Sequence, residues 1–420
     1  MRNICHNKIL IYALLALLIG VALALAIRSR AGADCAYAVS YADGTSLTYE
    51  ISDASELYEL ADNVNNGLYD GYYGTNFVLT ENVDLNDAEW TPIGNPLYPF
   101  KGTFDGGGNA VEGLSIAGGS EYTGLFGVIG VNGCVENLSV YGEVKGKNYV
   151  GGIAGYNHGT INSCISFVNV EAENDALHIG GVVGYNNGEV SGCGSSGSIT
   201  TGFATFIGGV AGSNYGAITN SFNTSSISSS GSVIGGIAGI NSDNSEITVC
   251  LNSGDVSAKT VCGGICGNNR GTVKNTFNSG TVNSDNGTAA GIVGSNEKTG
   301  TVTHIFNAAE IYGREDIAAL CGYNLGIVTN GVYDNRVFCG SAANGVDAEN
   351  SKGLPTYLLM HGDALLVDSK LGMLSDGNGG VWVKRELSDS QSYYPELKFF
   401  YDNAITVSKD AAKASRVSLE

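Results

Sequence analysis

Proline is almost missing from this 420-residue chain, at 5 residues, and tryptophan and methionine are rarer still, at 2 and 3. So little proline excludes a collagen triple helix and a proline-rich linker, even though glycine reaches 62 residues, about twice ordinary usage. Charge is scarce as well: Asp, Glu, Lys and Arg make up 15% of the chain, against roughly 25% in an ordinary soluble domain. The surface must therefore be built from Asn, Ser, Thr and Gly. Positive charge is the scarcer sign, with 21 basic against 41 acidic residues and a net charge of −20. A chain this acidic repels nucleic acid and anionic lipid, so neither is expected as a partner. Apolar residues still reach 43%, which supplies a core and excludes wholesale disorder.

Long apolar runs are absent except for one. Ile9 to Ile27 carries no charge, follows Arg2 and Lys8, and is closed by Arg28 and Arg30. Residues 1–33 contain no acid and read as a signal peptide or an N-terminal membrane anchor. Ala24-Leu25-Ala26 and Ala31-Gly32-Ala33 both offer small-residue cleavage sites. With either outcome the body lies outside the cytoplasm, extracellular or at the cell surface, and meets the membrane only through this segment. Asp34 stands before Cys35 where a lipoprotein signal needs a small residue.

The remainder is repetitive. The segment Val150–Asn157 returns at Ile179–Asn186, Ile207–Asn214, Ile234–Asn241, Cys262–Asn269, Ala289–Asn296 and Ile317–Asn324. Anchoring glycines at 127, 155, 184, 212, 239, 267, 294 and 322 are spaced by 27 to 29 residues. Within each period, short runs rich in β-branched residues are bounded by Gly, Asn or Ser, which is strand grammar. One apolar column reads Ile153, Val182, Val210, Ile237, Ile265, Ile292 and Leu320; another reads Ile161, Val190, Ile218, Ile247, Val273, Val302 and Val328. About three such runs per period predict one coil of a parallel β-helix, right-handed by the bias of parallel crossovers. The fold class is thus all-β, with short helical caps at both ends. A helix is expected over 52–67, where Leu57, Leu60, Ala61 and Val64 share one face, and another over 354–374. The chain divides into a leader (1–33), an N-terminal cap with the first coils (34–115), the repeat helix (116–345), a C-terminal capping segment (346–401) and a flexible tail (402–420).

One polar column is kept in seven repeats: Asn157, Asn186, Asn214, Asn241, Asn269, Asn296 and Asn324. In-register asparagines can pass amide hydrogen bonds from coil to coil, and asparagine tolerates a left-handed corner. The column therefore reads as a structural ladder. Tyr156, Tyr185, Tyr215 and Tyr323 stand beside it and are candidates for stacking on sugar rings, with packing against the next coil as the plainer alternative.

The stretch Gly151–Cys164 (GGIAGYNHGTINSC) resembles the GLUG repeat of bacterial surface proteins. Glu89–Gly94 (EWTPIG), Phe100–Gly106 (FKGTFDG) and Gly124–Gly127 (GLFG) resemble the usual companion of those repeats. The resemblance covers about residues 50–400. It implies an adhesin-like or other exported protein. Some relatives carry the repeats beside an IgA-specific metallopeptidase domain, whose H-E-x-x-H motif does not occur here.

Catalytic chemistry is hard to find. His158, His178, His304 and His361 occupy unrelated repeat positions and make no metal spacing. Cysteines are scattered, and buried free thiols are expected, with a Cys164–Cys193 bridge between adjacent coils as the alternative. Acids that might pair lie near the N-terminal coils: Asp84, Asp87, Glu89 and Asp105. No catalytic, metal or cofactor site is assigned. The leading expectation is a monomeric, non-catalytic module for adhesion to glycans or to host or neighbouring-cell surfaces. The alternatives are a polysaccharide lyase or hydrolase on a β-helix, and a passive stalk displaying another domain.

Overall fold

A computed structural model describes residues 47–361, 381–383, 396–397, 399–400, 405–407 and 417–419. The apolar run at 9–27 and its cleavage sites lie outside these residues. Among the described residues no helix is long and apolar enough to cross a membrane.

Parallel strands stack coil upon coil into a β-solenoid of about ten turns. One coil runs through Ala154–Asn157, Thr160–Asn162 and Ile165–Gly180, and the next repeats it from Val183–Asn186 onward. Nine strands, one per coil from Phe126–Ile129 to Ala343–Gly345, form one sheet. The two apolar columns read from the sequence point inward and are buried along their whole length. Each buried Val or Ile contributes about 1.5–3 kcal/mol, but only when neighbouring coils cover it.

The asparagines of the nine-stranded sheet meet end to end. Each side-chain Nδ2 donates to the Oδ1 of the next coil's asparagine, from Asn157 to Asn324, at 2.8 to 2.9 Å. All seven side chains are fully buried. The amide also closes the corner locally: Asn157 Nδ2 donates to Gly159 O, and Gly159 N donates back to Asn157 Oδ1. The left-handed conformation expected of this column lies elsewhere. It falls on Asn137, Ser163, Asn220, Val249, Asn275, His304 and Asn330, with φ of 50 to 55°. The ladder asparagines end strands, so their backbone stays extended while the side chain spans the turn.

A second amide ladder escapes the sequence reading. Asn223 donates to Asn252, Asn252 to Asn278 and Asn278 to Asn307, at 2.8, 2.8 and 3.1 Å. In the two preceding coils Ser166 and Ser195 hold its position. This ladder explains the Gly-Gly pairs. A Cβ on Gly209, Gly236 or Gly264 would strike the amide of Asn223, Asn252 or Asn278, and also the backbone carbonyl of the next coil's glycine.

The N-terminal end is covered by a helix. Helix Ala54–Asn65 starts at Asp53, whose carboxylate accepts from Glu56 N, while Glu56 accepts from Ser52 N at 2.7 Å. Its buried face (Leu57, Leu60, Ala61, Val64) closes the first coils. Asn65 ties it to the Pro92–Gly94 turn by donating to Pro92 O and accepting from Gly94 N. At the other end only Thr356–His361 of the predicted 354–374 helix falls among the described helical residues. The described C-terminal residues cover a flank. Leu354, Leu359, Trp382, Leu397 and Phe400 pack on Ile165, Phe222, Leu251, Phe277 and Phe306, a cluster separate from the inner core. Strand alternation requires this: Cys250 enters the inner core, so Leu251 points the other way. Within 402–420, where a flexible tail is expected, Ile405–Val407 pairs antiparallel with Val417–Leu419.

Replacing Asn241 by Ala in mid-ladder strips one amide from both neighbours. It should lower the unfolding free energy by about 2–4 kcal/mol in urea titration. Tyr312→Ala, on the exposed outer face, should change it by less than about 0.5 kcal/mol. Equal effects at the two positions would contradict the ladder's role.

Candidate functional site

The buried ladders cannot meet a ligand, so the side chains open to solvent on the outer faces are the ones to consider. Two of these carry organised side chains. The first is aromatic and covers the coils between Tyr122 and Tyr215. Tyr122, Tyr149, His178 and Phe206 are stacked in successive coils, with ring centroids 4.7, 4.9 and 5.7 Å apart. All four take a left-handed backbone, φ 55 to 63°, which swings each ring out at the corner. Beside them Tyr156 stacks on Tyr185 at 4.6 Å and Tyr185 on Tyr215 at 4.8 Å.

Three of the four tyrosines singled out from the sequence are thus assembled, although by two routes. Tyr156 and Tyr185 share a register position with Ser213, whereas Tyr215 follows its ladder asparagine. Its ring leans back over Tyr185 and fills the gap that Ser213 leaves. Tyr323 stands apart, opposite Ser295 and 43% exposed. The stacking has a chemical consequence. The faces of Tyr156 and Tyr185 are covered by neighbouring rings and their hydroxyls bond to each other, so their ring edges are what they present outward. Tyr215, also 43% exposed, ends the stack, and the next coil places Ser242 at its position. Burial raises the phenol pKa of Tyr122, Tyr156 and Tyr185.

The second face is polar. Lys145, Glu171, Thr200, Ser228, Ser257, Asn283 and Tyr312 lie in register on seven successive coils. At about 4.8 Å per coil the row is about 29 Å long. Its first coils hold a cleft of about 360 Å³ lined by Glu143, Lys145, Asn169, Glu171, Ser198 and Thr200. Lys145 pairs with Glu171 at 3.5 Å.

The N-terminal acids do not converge. Asp84 stands opposite Glu112, and Asp105 opposite Glu136, in adjacent coils. Asp84 accepts from Asn86 N, and Asp105 accepts from Gly107 N and Asn137 Nδ2, so both carboxylates brace turns. Glu89 accepts from Ala117 N on its own part of the coil. Asp87 lies in the turn after Asp84 with φ of 54°. Among the described residues no three His, Cys, Asp or Glu side chains gather as metal ligands. Cys164, Cys193, Cys250, Cys262, Cys266 and Cys321 are buried free thiols. Burial pushes Cys250 and Cys266 up to about 12, which makes them poor nucleophiles. Cys134 departs from the free-thiol expectation and is disulfide-bonded. The Cys164–Cys193 alternative is not realised; both thiols donate to backbone carbonyls instead.

No family model matches the chain. A protein of Evansella cellulosilytica, provisionally named a Gly-rich membrane protein, is 38% identical over 126 residues, 27% of this chain and 14% of its own length. Halomucin of Haloquadratum walsbyi is 28% identical over 143 residues, 28% of this chain and 2% of its own length. The chain therefore spans only a small fraction of these curated relatives. A crystal structure from Bacteroides ovatus, provisionally described as an immunoglobulin A1 protease, aligns over 84% of this chain and 92% of that one, with a TM-score of 0.43 and 19% identity.

His178 gives the aromatic face a pH signature. It lies between Tyr149 and Phe206, its Nδ1 within 2.6 Å of Ser213 Oγ, and burial lowers its pKa from 6.5 to about 4. The unfolded chain binds this proton near pH 6.5. Its contribution to stability is therefore complete above about pH 6.5 and decays as pH falls towards 4. Melting temperatures measured from pH 7 to pH 4 should fall more steeply for the native chain than for His178→Phe, and parallel curves would refute this assignment.

Proposed function

We propose that this chain is an exported, non-catalytic GLUG-type repeat module that binds surface glycans through its outer faces. The observation that carries the reading is the pairing of two regular arrays on one rigid solenoid. One is a strip of tyrosine edges ending in the exposed ring of Tyr215. The other is a row of hydroxyl and amide side chains repeating once per coil. A polysaccharide also repeats its hydroxyls at fixed intervals, so many weak hydrogen bonds can form in register. Each is worth little alone, and their sum gives avidity without a deep pocket. The stacked rings restrict sugar stacking: a sugar face finds Tyr215 and Tyr323, while Tyr156 and Tyr185 offer only ring edges.

A place at the cell surface fits both the apolar N-terminal run and the names of the two curated relatives, one a membrane protein and the other halomucin. The module acts as a monomer in this reading. Its net charge of −20 disfavours anionic polymers, so neutral glycans are the expected class.

Immobilised neutral polysaccharides, mucins and matrix proteins test the proposal, with bound protein and released reducing ends recorded from the same wells. Retention without release is expected. Tyr215→Ala and Tyr323→Ala should each weaken retention roughly two- to ten-fold with an unchanged melting temperature. Release of sugar ends would replace the proposal with the lyase or hydrolase reading. Absence of retention would leave the passive stalk.

A further inference from the structure

A cavity lined by aromatic and acidic side chains lies at the N-terminal end. Strand Leu47–Ile51 pairs with Thr75–Leu79, and helix Ala54–Asn65 crosses nearby. Between them is a cavity of about 240 Å³ whose lining includes Tyr49, Tyr69, Tyr72, Phe77, Glu50 and Glu59. Its aromatic walls form a corner. Tyr72 stands at 80° to Tyr49 and 86° to Phe77, with centroids 6.4 and 5.0 Å apart. Phe77 and Tyr72 are buried at its base, and Tyr49 is 45% exposed at its mouth.

The segment that supplies Tyr69 and Tyr72 is held against its own preference. Tyr69, Asp70, Gly71 and Tyr72 are four consecutive left-handed residues, with φ from 50 to 67°. L residues avoid this conformation, and such segments persist only where their surroundings fix them. Here Lys101 does so twice: its Nζ pairs with Asp70 at 2.6 Å and its backbone N donates to Gly71 O at 2.8 Å. The turn thereby directs two tyrosines into one cavity, and the Tyr72 hydroxyl bonds to Asn63 of the helix.

The opposite wall is anionic. Glu56 and Glu59 lie on the helix face that meets the cavity, and Glu50 comes from the strand. Glu56 also caps the helix, through Ser52. No cation pairs with any of the three among the described residues. Aromatic faces carry negative potential, so rings and carboxylates here act in the same sense. An anion is repelled, and a neutral sugar gains nothing from the charge. The volume lies below the roughly 300–1,000 Å³ of drug-sized sites and suits a head group of a few heavy atoms.

We propose that this aromatic and acidic corner binds an alkylammonium head group, either a trimethylammonium of the choline type or a methylated lysine side chain. The site is independent of the glycan-binding faces and does not rest on them. Tyr49 is stacked on the buried Phe77 at 5.4 Å, so the exposed surfaces of Tyr49 and Tyr69 supply the cation–π attraction, and the carboxylates, which pair with no cation among the described residues, supply long-range attraction that salt weakens.

Titration of the full chain with tetramethylammonium chloride, followed by calorimetry or ligand-observed NMR, tests the proposal. Saturable binding is expected at pH 7. The uncharged analogue of choline, 3,3-dimethylbutan-1-ol, should bind at least ten-fold more weakly than choline itself. Glu59→Gln, at an exposed position, should weaken tetramethylammonium binding roughly three- to thirty-fold at constant melting temperature, and Tyr49→Ala, which also removes the stack on Phe77, should weaken it in the same range in a chain that circular dichroism shows folded. Tyr312→Ala should leave it unchanged. Tighter binding of choline assigns the site to a lipid or polymer head group, and tighter binding of a trimethyllysine peptide assigns it to a protein; either supports the site. Absence of saturable ammonium binding, equal affinity for the neutral analogue, or indifference to both corner substitutions overturns it.

Discussion

A buried asparagine amide that lacks a partner destabilises the fold around it, and seven successive coils of this chain each bury one. The conflict has one economical solution, which is to set every amide directly under the next. That requirement fixes the register of the coils and their spacing. The inner columns of Val and Ile follow that register, and so do the outer rows of Ser, Thr, Asn and Tyr. The regular order of the outer faces is in this sense a consequence of hydrogen bonding on the inside.

Glycine is the other half of the same constraint. Coils close enough for amides to touch leave no room for a Cβ where the second glycine of each pair passes over the inner Asn223 ladder. The high glycine content is therefore a packing requirement at most repeat positions, and a left-handed backbone is needed at few of them. The left-handed corners are given largely to asparagine and other residues with side chains, which keeps those corners available for display. Tyr122, Tyr149, His178 and Phe206 use them in this way.

The repeat period, the inner columns and the Asn157-to-Asn324 column are legible in the sequence because each recurs in every coil. Features confined to a few coils are harder to read. The Asn223 ladder covers four coils and begins as serine at 166 and 195, so a search for unbroken columns passes over it. Its signal was available in the Asn that follows Phe222, Leu251, Phe277 and Phe306. Tyr215 reads as a member of the Tyr156 row although it stands two residues away in register, because a large ring can lean where a small residue leaves space. In the sequence the flank residues Ile165, Phe222, Leu251, Phe277 and Phe306 form a further apolar column that does not say which way it faces. Alternation with Cys250 shows which way it points, and only the contacts with Trp382, Leu397 and Phe400 reveal what covers it. The N-terminal aromatic corner depends on a left-handed turn held by Lys101, about thirty residues away, which no local pattern announces.

The account rests on amides shared between coils, and their protons can be observed directly. In a folded, isotopically labelled sample, the side-chain amide protons of Asn186, Asn214, Asn241, Asn269 and Asn296 each have an acceptor in the next coil or within the corner. Hydrogen exchange at these Nδ2 groups should be slow and similar along the row, close to that of the backbone amides of the inner strands. Rapid exchange at the central asparagines, with the strands themselves protected, would mean that the coils are held by their apolar columns alone and would contradict the account.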